Sequence, residues 1–401
     1  MESNGHAQKY GSFDFLMAVD AQTDKSNFFG SLGQLKKAIV EKQDWLFGFF
    51  SYDLKNELED LVSQNFDGLG FPILHFFQPS KVIKCVGDEL HFWYLEDCAD
   101  EIEDDFAQLL TLMDAEETEE THNSVKIKMR IHKDAYFEKV GQLLEHIHRG
   151  DVYEANFCQE FYAEGVTLDP WETYRRLNAI SEPPFASFMR LDDRYLMCAS
   201  PERYLRKEGN TLISQPIKGT ARRDDNEMVD EKLKHQLAQD EKERAENIMI
   251  TDLVRNDLSK SALKGSVVVE ELCKVYTYKQ VHQMISTVVA EIPPAKNPVE
   301  LIEETFPMGS MTGAPKISAM KIIEELEETK RGLYSGAVGY FDPQGNFDFN
   351  VVIRSILYNA TRNYVSFSVG SAITAKSDPE REYQECLLKA KAMRSVLETG
   401  R

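Results

Sequence analysis

The chain has 401 residues, 42% of them hydrophobic and 28% charged, and its formal net charge is −21. This length and composition predict a globular protein with two or more core-forming units or one large duplicated one. The acidic balance argues against nucleic acid as a partner, and there is no apolar run near the ~18 residues that a membrane span needs, so we expect no membrane association.

The N-terminal residues and the cysteines indicate the expected compartment. The chain begins without a basic region followed by an apolar one, so we expect no signal peptide. The six cysteines are scattered without Cys-x-x-Cys spacing. They are therefore expected to be free thiols in the cytoplasm, and they form neither a zinc motif nor a disulfide framework.

The first third of the chain alternates short apolar runs with polar breaks. Residues 45–53 predict a buried strand, and Lys81–Leu95 predicts a hairpin around a Gly-Asp-Glu turn. An acidic helix is expected over about 98–113. The stretch 114–124 is polar and almost free of apolar residues, which predicts a linker; a solvated helix end is the alternative.

We therefore expect an N-terminal segment, residues 1–120, built onto a larger unit, residues 121–401. In that unit, helices are predicted at 133–149, at 226–260, from Thr312 to about 328 and at 379–398, with a meander of strands at 334–375. Helices and antiparallel hairpins occur without regular alternation of strand and helix. The predicted class is α+β.

One lysine stands where a strand ends, in Pro216-Ile217-Lys218-Gly219-Thr220. Gly219 lets the backbone turn or come close to a ligand. A lysine held in this way becomes a nucleophile if desolvation or a neighbouring cation keeps it neutral. A surface lysine before a loop is the alternative.

Two pairs of glutamates recur at helical spacing. Glu243 and Glu246 share a helix face with apolar side chains, and Glu382 and Glu385 do the same on the last helix, followed by Lys389. Buried carboxylates need a cation, a proton or a metal. Two facing pairs suit one hard divalent ion such as Mg²⁺, partly through water. Ordinary ion pairs with Arg or Lys are the alternative.

Three further sequence features each allow two interpretations. The small and hydroxyl residues of 309–316, including Thr312, precede a predicted helix and suit an anion, or they simply begin a helix. Arg354 follows an apolar run and is predicted to clamp a carboxylate or to form an internal ion pair. His282 is either a functional histidine or a satisfied core histidine.

An ordered series of motifs resembles the chorismate-utilising enzymes and spans about residues 133–395, whereas the N-terminal 120 residues match more loosely. The motifs are GDVYEANFCQEF (150–161), ASPERYL (199–205), QPIKGTARR (215–223), KERAENIMITDLVRNDLSK (242–260), FPMGSMTGAPK (306–316), RGLYSGAVGYFD (331–342) and VGSAIT followed by EREYQE (369–385). The resemblance implies an anthranilate-synthase-type α+β fold, with orthogonally packed antiparallel sheets covered by outer helices.

Within that family, Pro-Ile-Lys-Gly-Thr resembles the aminodeoxychorismate synthases, the Mg²⁺-dependent amino-group transferases on the route to 4-aminobenzoate and folate. Anthranilate synthases usually carry alanine at position 218. The resemblance implies that Lys218 attacks C2 of chorismate and that ammonia then adds at C4. Glu202 would be the general acid/base, and His282 would lie near the reacting ring.

The resemblance also implies a ligand set. Glu246 and Glu385 would bind Mg²⁺ with Glu243 and Glu382 in support. The substrate would be held by a second group of residues: Tyr334, Arg354, Gly219, Thr220, Thr312, Gly370 and Lys389.

Two features separate this chain from some relatives. Glu154 stands where isochorismate and salicylate synthases carry a water-activating lysine, which argues against those activities, and it differs from the glutamine expected in aminodeoxychorismate synthases. The chain has no glutaminase nucleophile motif, so ammonia is expected from a separate glutamine amidotransferase subunit or from solution. Anthranilate synthesis and a catalytically inactive binding subunit remain the alternatives.

Overall fold

The computed structural model of the chain describes residues 1–6, 9–21, 28–113, 124–279 and 281–399. The predicted linker, apart from Ser124, lies outside these residues, so the boundary between the two expected segments stays a prediction. All six cysteines are free thiols. In the described part of the chain, every helix is too short or too polar to cross a bilayer.

Ten α-helices occur in the described residues. They are α1 (Leu32–Lys42), α2 (Lys55–Leu58), α3 (Ile102–Met113), α4 (Lys133–Arg149), α5 (Pro170–Ser181), α6 (Glu227–Gln239), α7 (Glu241–Ser259), α8 (Pro298–Thr305), α9 (Lys316–Leu326) and α10 (Pro379–Glu398).

Twenty strands occur in the described residues. They are β1 (Phe15–Ala21), β2 (Phe28–Phe29), β3 (Leu46–Phe50), β4 (Leu74–Phe77), β5 (Pro79–Val86), β6 (Glu89–Tyr94), β7 (Lys128–Met129), β8 (Glu154–Glu164), β9 (Phe185–Leu191), β10 (Arg194–Ser200), β11 (Arg203–Glu208), β12 (Thr211–Gln215), β13 (Ile217–Arg222), β14 (Val268–Thr277), β15 (Val281–Glu291), β16 (Gly313–Ala314), β17 (Ala337–Phe341), β18 (Phe347–Val351), β19 (Ser355–Asn359) and β20 (Tyr364–Thr374).

The strands form three antiparallel sheets. The largest has ten strands in the order β13-β15-β12-β11-β18-β17-β3-β4-β2, with β14 also paired to β15. A second sheet of seven strands runs β16-β8-β20-β19-β10-β9, with β7 paired to β8, and a small sheet joins β1, β5 and β6. Strands β2, β3 and β4 of the N-terminal segment belong to the largest sheet, whereas its β1, β5 and β6 form the small one. The predicted α+β class is confirmed.

Local sequence signals explain several of these elements. Helix α4 ends at Gly150, whose φ of 93° is the left-handed conformation that favours glycine at a helix end. Helix α7 begins at Asp240, whose side chain accepts a hydrogen bond from the Glu243 backbone N–H, and α10 begins in the same way at Asp378. These two caps set the start of the helices that carry the paired glutamates.

Each large sheet has its own hydrophobic core. Helices α4, α5, α9 and α10 pack on the seven-stranded sheet through fully buried side chains such as Tyr136, Leu177 and Met393. The ten-stranded sheet is packed around Phe49, Phe349 and neighbouring aliphatic residues. Burial of one such side chain contributes roughly 1.5–3 kcal/mol, so the scaffold around the space between the sheets is held firmly.

Two of the links by which the chain crosses between the large sheets carry residues of the predicted site. Strand β10 belongs to the seven-stranded sheet and β11 to the ten-stranded one, and the link between them carries Glu202. The chain crosses back between β18 and β19, and that link carries Arg354. Both side chains are thus placed at the junction of the sheets.

Candidate active site

A cavity of about 1180 Å³ lies at this junction. Strands from both large sheets line it, together with helices α7 and α10. Most of the site residues expected from the sequence meet here: Glu202, Lys218, Gly219, Thr220, Glu243, Glu246, Tyr334, Arg354, Gly370, Glu382, Glu385 and Lys389.

Lys218 reaches the cavity from an irregular point in β13. The pairing of β13 with β15 shifts between Ile217 and Thr220, which is the signature of a bulge, and bulges redirect side chains. Gly219 has a φ of 95°, and a Cβ there would lie 3.2 Å from Cβ of Glu243. The backbone conformation therefore favours glycine, and the close approach of α7 leaves little room for a Cβ.

A nucleophilic lysine is expected to have a lowered pKa, but the surroundings of Lys218 act in the opposite direction. Its side chain is only 13% exposed, and Nζ lies 3.2 Å from Oε1 of Glu154. Burial favours the neutral amine, but the carboxylates of Glu154, Glu246 and Glu202 together outweigh it and raise the pKa of Lys218. Before any ligand binds, this lysine is an ammonium ion that must lose a proton to become a nucleophile.

Glu202 is buried where β10 gives way to β11. The Ser310 hydroxyl donates a hydrogen bond of 2.6 Å to its Oε1. Burial raises the pKa of Glu202 to about 7, although the bond from Ser310 and the charge of Lys218 act in the opposite direction. A carboxyl with this pKa can both donate and accept a proton near neutral pH.

The four glutamates of α7 and α10 face one another across the cavity, with a lysine between the helices. Lys242 Nζ lies 3.6 Å from Oε1 of Glu246 and 3.8 Å from Oε1 of Glu382. Oε1 of Glu246 is buried without a hydrogen-bond partner, and burial raises the pKa of this carboxyl to about 7. Burial would also raise the pKa of Glu385, but Lys389 outweighs it and the pKa is lowered.

The chemistry of these donors suits a hard divalent cation, although the described residues do not form a preassembled cluster. In the ranges that the structure describes, no three Asp, Glu, His or Cys side chains stand close enough to hold a metal by themselves. The donor set is nevertheless all carboxylate oxygen, and the buried Oε1 of Glu246 has no hydrogen-bond partner and only the Lys242 ammonium nearby, at 3.6 Å. Mg²⁺ commonly binds through one or two carboxylates and completes its shell with water or substrate oxygens.

Cationic side chains on the other walls of the cavity could hold an anionic ligand. The Arg354 guanidinium forms no hydrogen bond or ion pair with any residue that the structure describes, so the internal ion pair weighed from the sequence is not formed. Lys389 donates a hydrogen bond of 2.9 Å to the Gly370 carbonyl and pairs with Glu385 at 2.6 Å. Among the described residues of this wall, Arg354 is therefore available to bind an anion.

Two expected site residues do not line the cavity. His282 is fully buried, with Nε2 2.9 Å from Oδ1 of Asp230 and Nδ1 3.0 Å from Oγ1 of Thr277. This is the satisfied core histidine of the alternative interpretation. Thr312 is also fully buried, and its hydroxyl donates to backbone carbonyls of the preceding turn.

The predicted anion-binding helix start is likewise different in the structure. Gly313 and Ala314 form strand β16, which pairs with β8, and α9 begins only at Lys316. The Lys316 ammonium contacts Asp257 at 2.5 Å. Of this motif, Ser310 and Met311 line the cavity.

Sequence reasoning did not identify three residues that organise the site. Lys242 is four positions from Glu246, a spacing that signals a helical ion pair. Ser310 binds Glu202 from 108 positions away, and no sequence signal reports that contact. Asn247 donates a hydrogen bond of 3.2 Å to the Lys218 carbonyl, which ties α7 to β13.

The chain is similar to known proteins over nearly its whole length. Residues 2–395 match the family described as chorismate binding enzyme. An anthranilate synthase component I-like protein of Synechocystis is 35% identical over 88% of this chain and 72% of its own length. The aminodeoxychorismate synthase component 1 of Salmonella typhimurium is 40% identical over 66% of this chain. The chain covers only 57% of that relative's length.

A solved structure confirms the fold. Anthranilate synthase component I from Streptococcus pneumoniae superposes with a TM-score of 0.81, at 25% identity, over 97% of this chain and 94% of that one. The expected anthranilate-synthase-type architecture is therefore present. From the family match and these relatives, the chain belongs to the chorismate binding enzymes.

Proposed function

We propose that this protein aminates chorismate at C4 and forms 4-amino-4-deoxychorismate. The observation that carries the proposal is the position of Lys218, whose amine enters the cavity beside Glu202 and the glutamates of α7. Relatives named aminodeoxychorismate synthase, at 38–42% identity, support the same reaction.

In the first half of the reaction, neutral Lys218 attacks C2 of the ring. The two ring double bonds shift, the C4–O bond breaks, and the departing oxygen takes the proton of Glu202 and leaves as water. Glu202 suits this step because its pKa of about 7 keeps it partly protonated at neutral pH. The product is an intermediate linked to the enzyme through the lysine nitrogen.

In the second half, ammonia adds at C4 and the double bonds shift back. The C2–N bond breaks and Lys218 is released, while Glu202 takes a proton from the new ammonium group. The net change replaces the C4 hydroxyl with an amino group and forms one water molecule.

The substrate carries two carboxylates, and two groups of cavity residues would bind them. Glu246 and Glu385 would hold Mg²⁺, with Glu243 and Glu382 in support; when bound, the ion neutralises the glutamates and binds one carboxylate. Arg354, which has no partner among the described residues, would bind the other beside Tyr334.

The ammonia source is also part of the proposal. We infer that a separate glutamine amidotransferase subunit supplies it, because the Salmonella relative is named as a component 1, which implies a second component. Free ammonia in solution would then replace the partner in an assay with the isolated chain.

Anthranilate synthesis is the second candidate, favoured by the Synechocystis and Streptococcus relatives. The same cavity would serve it, with ammonia adding at C2. The two reactions share the substrate and differ in the position of the amino group, and anthranilate formation also eliminates pyruvate as the ring becomes aromatic.

Identification of the product separates these possibilities. The chain would be incubated with chorismate, Mg²⁺ and an ammonium salt, and the products would be resolved by chromatography against authentic 2-amino and 4-amino standards. We expect the 4-amino compound, and no turnover in the presence of a chelator. Anthranilate as the main product would replace the first candidate with the second, and an inactive protein that still binds chorismate would indicate a binding subunit.

A further inference from the structure

Glu154 has an unusual environment for a carboxylate. It is 1% exposed and does not line the cavity, yet its Oε1 lies 3.2 Å from Nζ of Lys218. Its other oxygen, Oε2, is buried without any hydrogen-bond partner. Glu154 therefore lies outside the cavity wall and contacts the nitrogen atom of Lys218 that would react.

The backbone of Glu154 is fixed from both sides. It is the first residue of β8 and pairs with Ala314 of β16 and with Thr374 of β20. A Cβ at Gly313 would lie only 2.1 Å from the Glu154 carbonyl oxygen, so the two strands approach as closely as glycine allows. A backbone held this closely by two neighbouring strands is suited to keep a catalytic side chain in place.

Other carboxylates also face Lys218, but each has a different task. Glu202 lies at the β10–β11 link, Glu246 on α7 and Glu385 on α10. Under the proposed function, Glu202 must begin protonated, and the two helical glutamates hold Mg²⁺. Glu154 is the one that is both in contact with Nζ and uncommitted.

We propose that Glu154 is the base that takes a proton from Lys218 and thereby creates the nucleophile. This inference rests on the proposed function. The proton moves from the Nζ ammonium to the Glu154 carboxylate, and the freed electron pair on Nζ forms the bond to C2. When ammonia later expels the lysine, the proton returns from Glu154 to Nζ, so the pair ends as it began.

Burial lowers the free-energy cost of this transfer, although the neighbouring carboxylates keep the proton on Lys218 before any ligand binds. A buried ion pair pays a large desolvation cost for both charges, whereas a neutral amine and a protonated carboxyl pay little. The orphan Oε2 adds to the cost of the charged form. Because the proton stays within the pair, activation of the lysine needs no proton exchange with solvent.

The test compares Glu154→Gln with wild-type enzyme, using chorismate, Mg²⁺ and a constant concentration of free ammonia. Glutamine, the residue expected here in aminodeoxychorismate synthases, keeps the shape and one acceptor oxygen but cannot hold the proton, so the proposal means that this chain activates its lysine by a different route from those relatives. Turnover at pH 7 is expected to fall by roughly 10²–10⁴-fold, the usual loss for a general base, and to fall further as the pH is lowered below 7, where wild-type turnover stays flat. Glu160→Gln is the matched control. Glu160 is a buried carboxylate on the same strand, paired with Arg130 at 2.9 Å and absent from the cavity wall, so its variant should keep wild-type turnover.

A Glu154→Gln variant as fast as wild-type at pH 7, or faster, would overturn the proposal, because Glu154 would then only restrain the charged lysine. If that variant does not fold, the wild-type pH profile decides. With internal transfer, turnover is flat from pH 5.5 to about 6.5; a steady tenfold rise per pH unit would show that the lysine loses its proton to solvent. Absence of 4-amino product from wild-type enzyme would instead refute the proposed function.

Discussion

Replacement of Glu202 by glutamine is expected to slow catalysis and to stabilise the folded protein at the same time. Glutamine can still accept the hydrogen bond from Ser310 but cannot donate a proton to the departing hydroxyl. Turnover should therefore fall by roughly 10²–10⁴-fold. In the wild-type enzyme, turnover should decline above pH 7 as Glu202 loses its proton.

The gain in stability follows from the raised pKa. The pKa of Glu202 rises from an ordinary 4.5 to about 7 on burial, so between these values the folded state holds a proton that the unfolded chain has released. Stability from this group is thus complete below pH 4.5 and is lost as the pH rises to about 7. The shift corresponds to roughly 3 kcal/mol of unfolding free energy.

Glutamine is neutral at every pH and avoids this loss. Chemical denaturation of both proteins, followed by fluorescence, would give the difference in unfolding free energy at two pH values. We expect the variant to be more stable by roughly 3 kcal/mol at pH 8, and by less than about 1 kcal/mol at pH 5.

The refuting result is equally specific. Equal stability of the two proteins at pH 8 would mean that the Glu202 carboxylate is not penalised by burial. Near-normal turnover of the variant would remove Glu202 from the proton transfer.

Three other predictions follow from the cavity walls. Glu246→Gln and Glu385→Gln should each weaken Mg²⁺-dependent chorismate binding, as measured by calorimetry; tight binding of chorismate to wild-type enzyme in a chelator would contradict the metal role. Arg354→Ala should raise the chorismate KM by on the order of 10–100-fold, since it deletes a charged hydrogen-bond donor, and an unchanged KM in the folded variant would exclude the clamp. Gly370→Ala should destabilise the protein by roughly 1–3 kcal/mol in denaturant titrations, because the new Cβ would lie 2.5 Å from Sγ of Cys158; wild-type stability would show that the two strands can separate.

Elements with strong local signals could be predicted from the sequence. The hairpin of β5 and β6, helix α4 with its glycine end and helix α10 all occur where periodicity and turn residues indicate them. All four glutamates of the two predicted pairs line the cavity. Spacing along one helix determines which side chains share a face, so these features need no knowledge of the tertiary structure.

Contacts between distant elements could not be predicted in this way. Glu154 and Lys218 lie on strands of different sheets, so their contact depends on how those sheets pack. His282 shows a second limit. Successive strand residues point to opposite faces, so Gln283 lines the cavity while His282 points away from it to Asp230. The face that a strand turns to a cavity is set by pairing register, which the sequence of the strand alone leaves open.

The most direct test of the central claim is the product distribution of Lys218 variants with chorismate, Mg²⁺ and ammonia. If Lys218 forms a bond to C2, Lys218→Ala should lose most of the 4-amino product and gain a little of the 2-amino product. Lys218→Arg should be nearly inactive, because arginine stays protonated. A Lys218→Arg enzyme that keeps most of the 4-amino activity would contradict the claim, since the residue would then supply only a positive charge.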